Sequence, residues 1–165
     1  MIREVKFSDS EAIAEIYNYY IEKSPATFEE VPVAASDMEK RIQELKKDFP
    51  YLVCEENEEI VGYAYAHHYH PRSAYRFTLE DSIYIRNGFQ GRGTGKALLG
   101  ELLGKLKNND VHAIVAAITI PNAKSIALHE SFGFKKIGIF KEVGRKFNRW
   151  QDVGHWEYFY DVHEI

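Results

Sequence analysis

The stretch "GFQGRGTGKALL", residues 88–99, sets glycines at Gly88, Gly91, Gly93 and Gly95 between an apolar run and residues at helical spacing. Glycine reaches positive φ at little cost and lets a backbone approach a ligand closely. The first N–H groups of a helix lack internal partners and carry partial positive charge. A strand, a glycine-rich turn and an amphipathic helix, in that order, therefore commit this part of the chain to a βα unit with an anion site at its helix start.

The remaining pattern builds one mixed α/β domain over 1–165. "MIREVKF" alternates as a short strand. Ser8-Asp9 offers an N-cap to a helix bearing Ala12, Ile13, Ile16, Tyr17 and Tyr20. Ser36 or Asp37 can cap a second helix through Met38, Ile42 and Leu45. "YLVCEE" and "EIVGYAYAHHY" read as strands around a turn at Glu56–Glu59, and "FTLEDSIYI" as a strand leading into the glycine loop. "HAIVAAITI" is a buried strand. Pro121-Asn122 opens a further helix that Gly133 ends. "FKKIGIFKEVG" and "HWEYFYDV" close the chain as strands. The order is βααβββαβαββ, with a central sheet part antiparallel and part parallel, flanked by helices.

Composition excludes several classes. Net charge is −4 with no basic block, which speaks against nucleic-acid and membrane-surface partners. A single cysteine, Cys54, forbids an internal disulfide and fits a reducing cytoplasm. "MIREVKF" lacks the apolar core of a signal peptide. In "HHYH", His68 and His70 share a strand face, but two ligands make no zinc site, so no metal is expected.

The glycine loop fails two familiar phosphate patterns. A nucleoside-triphosphate loop, G-x-x-x-x-G-K-S/T, would need a glycine at Gln90 and a hydroxyl at Ala97. A dinucleotide loop, G-x-G-x-x-G, would need a glycine at Lys96 or Leu98. Gln90-Gly91-Arg92-Gly93-Thr94-Gly95 instead resembles the acyl-CoA pyrophosphate loop of the GNAT acetyltransferase superfamily, Q/R-x-x-G-x-G/A. "NAKSIALHESFGF" is similar to a second superfamily stretch, matching at Asn122, Ser125, Leu128, Gly133 and Phe134, with His129 where a tyrosine is common. The resemblance narrows further. Arg72, Ala74, Tyr75, Thr78, Glu80, His129 and the segment Lys146, Phe147, Arg149, Trp150, Asp152 are similar to the phosphinothricin N-acetyltransferase branch. "TFEE" resembles that branch's substrate loop, at Phe28.

The resemblance implies a GNAT fold, acetyl-CoA as co-substrate without metal, a small-molecule amine as acceptor, and a homodimer. It places cofactor contacts at Ile83, Tyr84, Ile85, Gln90, Gly91, Arg92, Gly93, Thr94, Gly95, Lys96, Asn122 and Ser125. Substrate contacts fall at Phe28, Arg72, Tyr75, Thr78 and Lys146. It makes Glu80 the general base, a role that amine acetylation demands because an α-amino group is mostly protonated at neutral pH. Alternation puts Thr78, Glu80 and Ser82 on one strand face and Leu79, Asp81 and Ile83 on the other, so Asp81 reads as a structural partner. A backbone N–H within Ile83–Ile85 would polarise the acetyl carbonyl. His129 stands open between acid, cofactor contact and structural residue. Cys54 reads as a small buried apolar residue, not an acyl carrier. The preferred acceptor is the α-amino group of a small L-amino acid or analogue of the phosphinothricin or methionine sulfone type. Another amine (a polyamine, an aminoglycoside or a protein N-terminus) and a non-catalytic acyl-CoA-binding module are the alternatives. Arg72 disfavours a polyamine, because a cation suits a carboxylate.

Overall fold

A computed structural model describes residues 1–160. The chain runs β1 (Ile2–Glu4), α1 (Ser10–Lys23), α2 (Ala35–Leu45), β2 (Tyr51–Glu56), β3 (Glu59–His68), β4 (Thr78–Ile85), α3 (Thr94–Leu106), β5 (Ala113–Ile120), α4 (Ala123–Ser131), β6 (Lys135–Lys146) and β7 (Arg149–Phe159). This is the order expected from the sequence. The last strand starts earlier than expected, and two of its expected residues, Asp161 and Val162, lie outside the described residues.

The expected caps differ. Asp9 turns its carboxylate to the Arg3 guanidinium at 2.8 and 3.0 Å and to the Lys6 amide at 2.8 Å, so it ties β1 to the helix start instead of capping it. Helix α2 begins at Ala35, with Ser36 and Asp37 inside its first turn. Asn122 does cap α4, its side chain accepting from the Ser125 amide at 3.2 Å.

The strands form one sheet in the order β1-β2-β3-β4-β5-β7-β6. Every neighbouring pair is antiparallel except β4 and β5. That parallel ladder joins only Thr78, Leu79 and Glu80 to Ala113, Ile114 and Val115. Beyond it β4 continues to Ile85 and β5 to Ile120 without pairing to each other. The glycine loop and the start of α4 follow directly at these two carboxyl ends.

Separate cores cover the two sheet faces. Leu98, Leu99, Leu102, Leu103 and Leu106 of α3 pack on Leu52, Val61, Ala64, Leu79, Ile114 and Trp156. Each fully buried leucine contributes about 1.5–3 kcal/mol. Gly93 at the N-cap makes no side-chain cap bond, which is worth about 1 kcal/mol elsewhere. Burial, not capping, therefore holds α3. On the other face, Ile13, Ile16, Met38 and Ile42 of α1 and α2 pack on Tyr51, Val53 and Tyr63, with Tyr17, Tyr20, Tyr65 and Tyr84 alongside. Strand β4 serves both faces by alternation: Leu79 and Ile83 turn to α3, Tyr84 to α1. Among the described residues, no helix is long and apolar enough to cross a membrane.

Gly62 marks the closest approach of β3, β4 and α3. A Cβ there would lie 2.8 Å from Ile85 Cδ1, 3.1 Å from the Tyr84 carbonyl and 3.3 Å from Leu98 Cδ1. Gly62→Ala is expected to destabilise the fold by about 1–3 kcal/mol through overpacking. Urea unfolding checks this, and an unchanged midpoint and slope would refute it.

Candidate active site

The unpaired stretch between β4 and β5 opens where two helices start. On one side lies the loop Gly88–Gly93. Gly91 and Gly93 hold φ of +80° and +88°, a region that penalises any side chain. Gln90 Oε1 accepts from the Gly88 amide at 2.8 Å, and Arg92 Nη2 donates to the Gly88 carbonyl at 3.0 Å. These side chains brace the loop from within. The first amides of α3, at Thr94, Gly95 and Lys96, lack intrahelical acceptors by position. Such a cradle suits a diphosphate. Gly95 also serves packing. A Cβ there would come 3.3 Å from Leu128 Cδ2, so its lack of a side chain lets α3 pack on α4. Asn122 and Ser125 lie at the start of α4, across the opening, and are occupied in its cap.

The opposite sheet face carries the expected base. Glu80 is half-buried, at the last rung of the parallel ladder, opposite His67 of β3 and Val115 of β5. Burial pushes its carboxyl above the usual carboxylate range; His67 pulls against this, and Asp81 adds to it. Past Glu80 the backbone of Ile83, Tyr84 and Ile85 borders the opening. Its position is fixed by β3 and by Tyr20, whose hydroxyl donates to the Ile85 carbonyl at 2.6 Å. Beside the ladder a cleft of about 450 Å³ is lined by Tyr75, Thr78, Val115, Phe140, His155 and Glu157, among others. Thr78 and Tyr75, both expected at the substrate, thus share one cavity. Arg72 starts the short turn Ser73–Tyr75 and is exposed. Among the described residues its guanidinium has no hydrogen-bond or ion-pair partner, so its planar face stays available.

Lys146 departs from expectation. It is 2% exposed, and its ammonium donates to the carbonyls of Tyr20 (3.3 Å), Ser24 (2.8 Å) and Thr27 (2.7 Å). An ammonium has three N–H donors, so none is left for a substrate. Burial lowers its pKa despite the pull of Glu30 and Glu29. Lys146 instead ties the end of β6 to the end of α1 and to the loop that carries Phe28. That loop is further held by the Tyr17–Thr27 hydroxyl pair at 2.8 Å and by Arg41, which grips Glu29 through two bonds of 2.9 and 2.8 Å. Phe28 itself is 41% exposed, and a Cβ on Gly144 would overlap its ring.

His129, open from the sequence between acid, cofactor contact and structural residue, is held in a structural setting. It lies in the α3–α4 layer, 5% exposed, with both ring nitrogens engaged: Nδ1 is 2.7 Å from the Ser125 carbonyl and Nε2 is 3.0 Å from Asp81 Oδ2. It presents no free nitrogen to a leaving group. Among the described residues, no group of three or more His, Cys, Asp or Glu side chains could hold a metal ion.

Residues 2–155 match the family model described as the acetyltransferase (GNAT) domain. The chain belongs to the GNAT acetyltransferase family. It is 42% identical to a phosphinothricin N-acetyltransferase of Alcaligenes faecalis, over 92% of this chain and 78% of that protein. It is 34% identical to an L-methionine sulfoximine/L-methionine sulfone acetyltransferase of Salmonella typhimurium, over 98% and 95%. A GNAT phosphinothricin acetyltransferase from Sinorhizobium meliloti, solved with acetyl-CoA, superposes with a TM-score of 0.93 at 36% identity, covering 96% of this chain and 87% of that one.

Two features of this GNAT site escape the sequence. His67, not His68 or His70, is the histidine that faces Glu80; the antiparallel register decides it, and no motif announces it. The far wall of the cleft, His155 and Glu157, comes from β7, which reads from sequence only as a closing strand. Alternation along "HWEYF" is the available signal, since it puts His155 and Glu157 on one face and Trp156 on the other.

Lys146→Met retains the length of the side chain and removes its donors. Leaving the buried carbonyls unserved is expected to cost about 1–3 kcal/mol of stability, measured by denaturant unfolding. Unaltered stability would return Lys146 to the substrate.

Proposed function

We propose that this chain transfers acetyl from acetyl-CoA to the α-amino group of a small L-amino acid or close analogue, of the phosphinothricin or methionine sulfone type, within a ternary complex. The observation that carries the reading is Glu80: a half-buried carboxylate without a salt-bridge partner among the described residues, at the rung where the parallel ladder ends. Acetyl-CoA supplies an activated carbonyl. Gly91, Gly93 and the first amides of α3 hold its diphosphate, and β4 backbone N–H within Ile83–Ile85 polarises the carbonyl. Glu80 takes one proton from the substrate ammonium, directly or through water. The freed amine attacks the carbonyl carbon, the C–N bond forms, the C–S bond breaks, and the second proton shed by the nitrogen passes through water to the departing thiolate, giving the amide and free coenzyme A. Burial raises Glu80 toward the pH where a base works best. Arg72 receives the α-carboxylate through two parallel hydrogen bonds, which sets the neighbouring amine toward Glu80. Tyr75 and Thr78 line the side-chain end, and Phe28 closes it.

The same reading places the protein in the cytoplasm as a homodimer. Ile137, Phe140, Val143 and Trp150 stand 64%, 61%, 56% and 61% exposed along β6 and its turn into β7. β6 is also the outer strand of the sheet, and a long apolar edge needs a cover. A second copy supplies it.

Glu80→Gln keeps shape and removes proton acceptance. We expect kcat to fall about 10²–10⁴-fold at neutral pH, with the deficit shrinking as pH rises and free amine accumulates. In the wild type, activity should climb with pH through the raised Glu80 pKa, since the base acts only when ionised. A thiol-release assay across pH tests both, and a wild-type rate for the variant at pH 7 would exclude the role.

Arg72→Lys should raise KM for the amino acid about tenfold, the value of one charge-assisted hydrogen bond, and leave acetyl-CoA binding alone. Amidating the substrate carboxylate should harm the wild type similarly and the variant little further. Equal rates of acid and amide with the wild type would remove the carboxylate pocket.

A further inference from the structure

Asp81 and His129 form a closed pair on the cofactor face of the sheet. Their side chains are 1% and 6% exposed. His129 Nδ1 lies 2.7 Å from the Ser125 carbonyl, which can only accept, so Nδ1 carries hydrogen. Nε2 lies 3.0 Å from Asp81 Oδ2. Without a proton between them, two lone pairs would face each other at that distance. One proton therefore sits in the contact, and the pair as a whole is neutral. Burial alone would lower the His129 pKa, but the bond and charge of Asp81 outweigh it and raise it. The Phe134 ring closes over the imidazole edge-on at 5.1 Å. Asp81 Oδ1 is buried without a partner, so His129 is the group that compensates this carboxylate among the described residues.

The location gives the pair its meaning. Asp81 is the first β4 residue beyond the last rung, Glu80 with Val115. His129 lies on α4, the helix that follows β5. Where the backbone stops joining β4 to β5, a side-chain bond joins β4 to α4. We propose that the Asp81–His129 bridge sets the width of the opening between β4 and β5, which makes both side chains positioning residues for acetyl transfer, not a proton source for the departing thiolate. The assay of turnover rests on the acetyl-transfer reading above; the binding measurement below does not depend on the amine.

The test uses Asp81→Asn against Asp81→Leu. An asparagine amide donates N–H to the Nε2 lone pair of a neutral His129, so the bridge survives while its shared proton and charges are gone. Leucine fills the space without bonding. With Asp81→Asn, kcat should stay within about threefold of wild type, and acetyl-CoA affinity by calorimetry should not change. With Asp81→Leu, kcat should drop about 10²-fold, the scale of a 1 Å misplacement of reacting groups, and acetyl-CoA should bind about tenfold more weakly. If His129 were the acid for the thiolate, Asp81→Asn would leave it without its proton. Turnover would then fall about 10²-fold at unchanged acetyl-CoA affinity, which overturns the proposal. Should Asp81→Leu fail to fold, the isosteric Asp81→Asn still decides by that same comparison. If wild type releases no thiol with any amino acid, the substrate reading fails, yet acetyl-CoA affinity across the variants still tests the bridge. Retained affinity in a folded Asp81→Leu would sink it.

Discussion

A parallel ladder holds two strands about 4.8 Å apart for as long as its hydrogen bonds run. Between β4 and β5 it runs for three residues of each strand and stops at Glu80 and Val115. Strands that continue unpaired leave backbone donors and acceptors along an inner edge, where a buried polar group needs a partner. This interrupted ladder is the constraint on which the site depends. It places a half-buried carboxylate at the base of the opening, strand backbone along one wall, and two helix starts at its rim. The two sheet faces then divide the labour, one holding the glycine loop and the other the cleft.

Adjacent carboxylates show how environment separates roles. Glu80 and Asp81 are neighbours in sequence and point to opposite faces. Asp81 is enclosed by the α3–α4 layer and matched by His129. Glu80 has only His67 across the strand pair and the open cleft beside it. The same chemical group is closed off beside a histidine on one face and stands half-buried opposite another histidine on the other.

The element order, the loop and the Glu80 face are legible in the sequence because each rests on local period or local spacing. The glycines between β4 and α3 and the Asn122 cap show in the sequence alone. Asp9 does stand at the N-cap position of α1, but its carboxylate makes no cap bond there, and α2 starts at Ala35, one residue ahead of Ser36. Arg3 takes the Asp9 carboxylate instead. Motif matches put Lys146 at the substrate and leave His129 open between acid, cofactor contact and structural residue. Their surroundings depend on contacts 119 and 48 residues away, which no local pattern carries. His67 is hidden for the same reason, since cross-strand register is a tertiary fact.

The tie from Lys146 has an order in time as well as in space. Its acceptors lie at Tyr20, Ser24 and Thr27, and its ammonium arrives 119 to 126 residues later. A chain emerges from the ribosome from its N-terminal end and folds as it emerges. Helix α1 and the loop after it are therefore translated well before the group that holds them in place. Helix α3 waits as well, since Trp156 of β7 packs on its leucines and the Tyr160 hydroxyl donates to the Leu103 carbonyl. A nascent chain thus keeps both faces of its sheet incompletely covered until the last hairpin is out, and the Phe28 loop and α3 are locked at the same late stage.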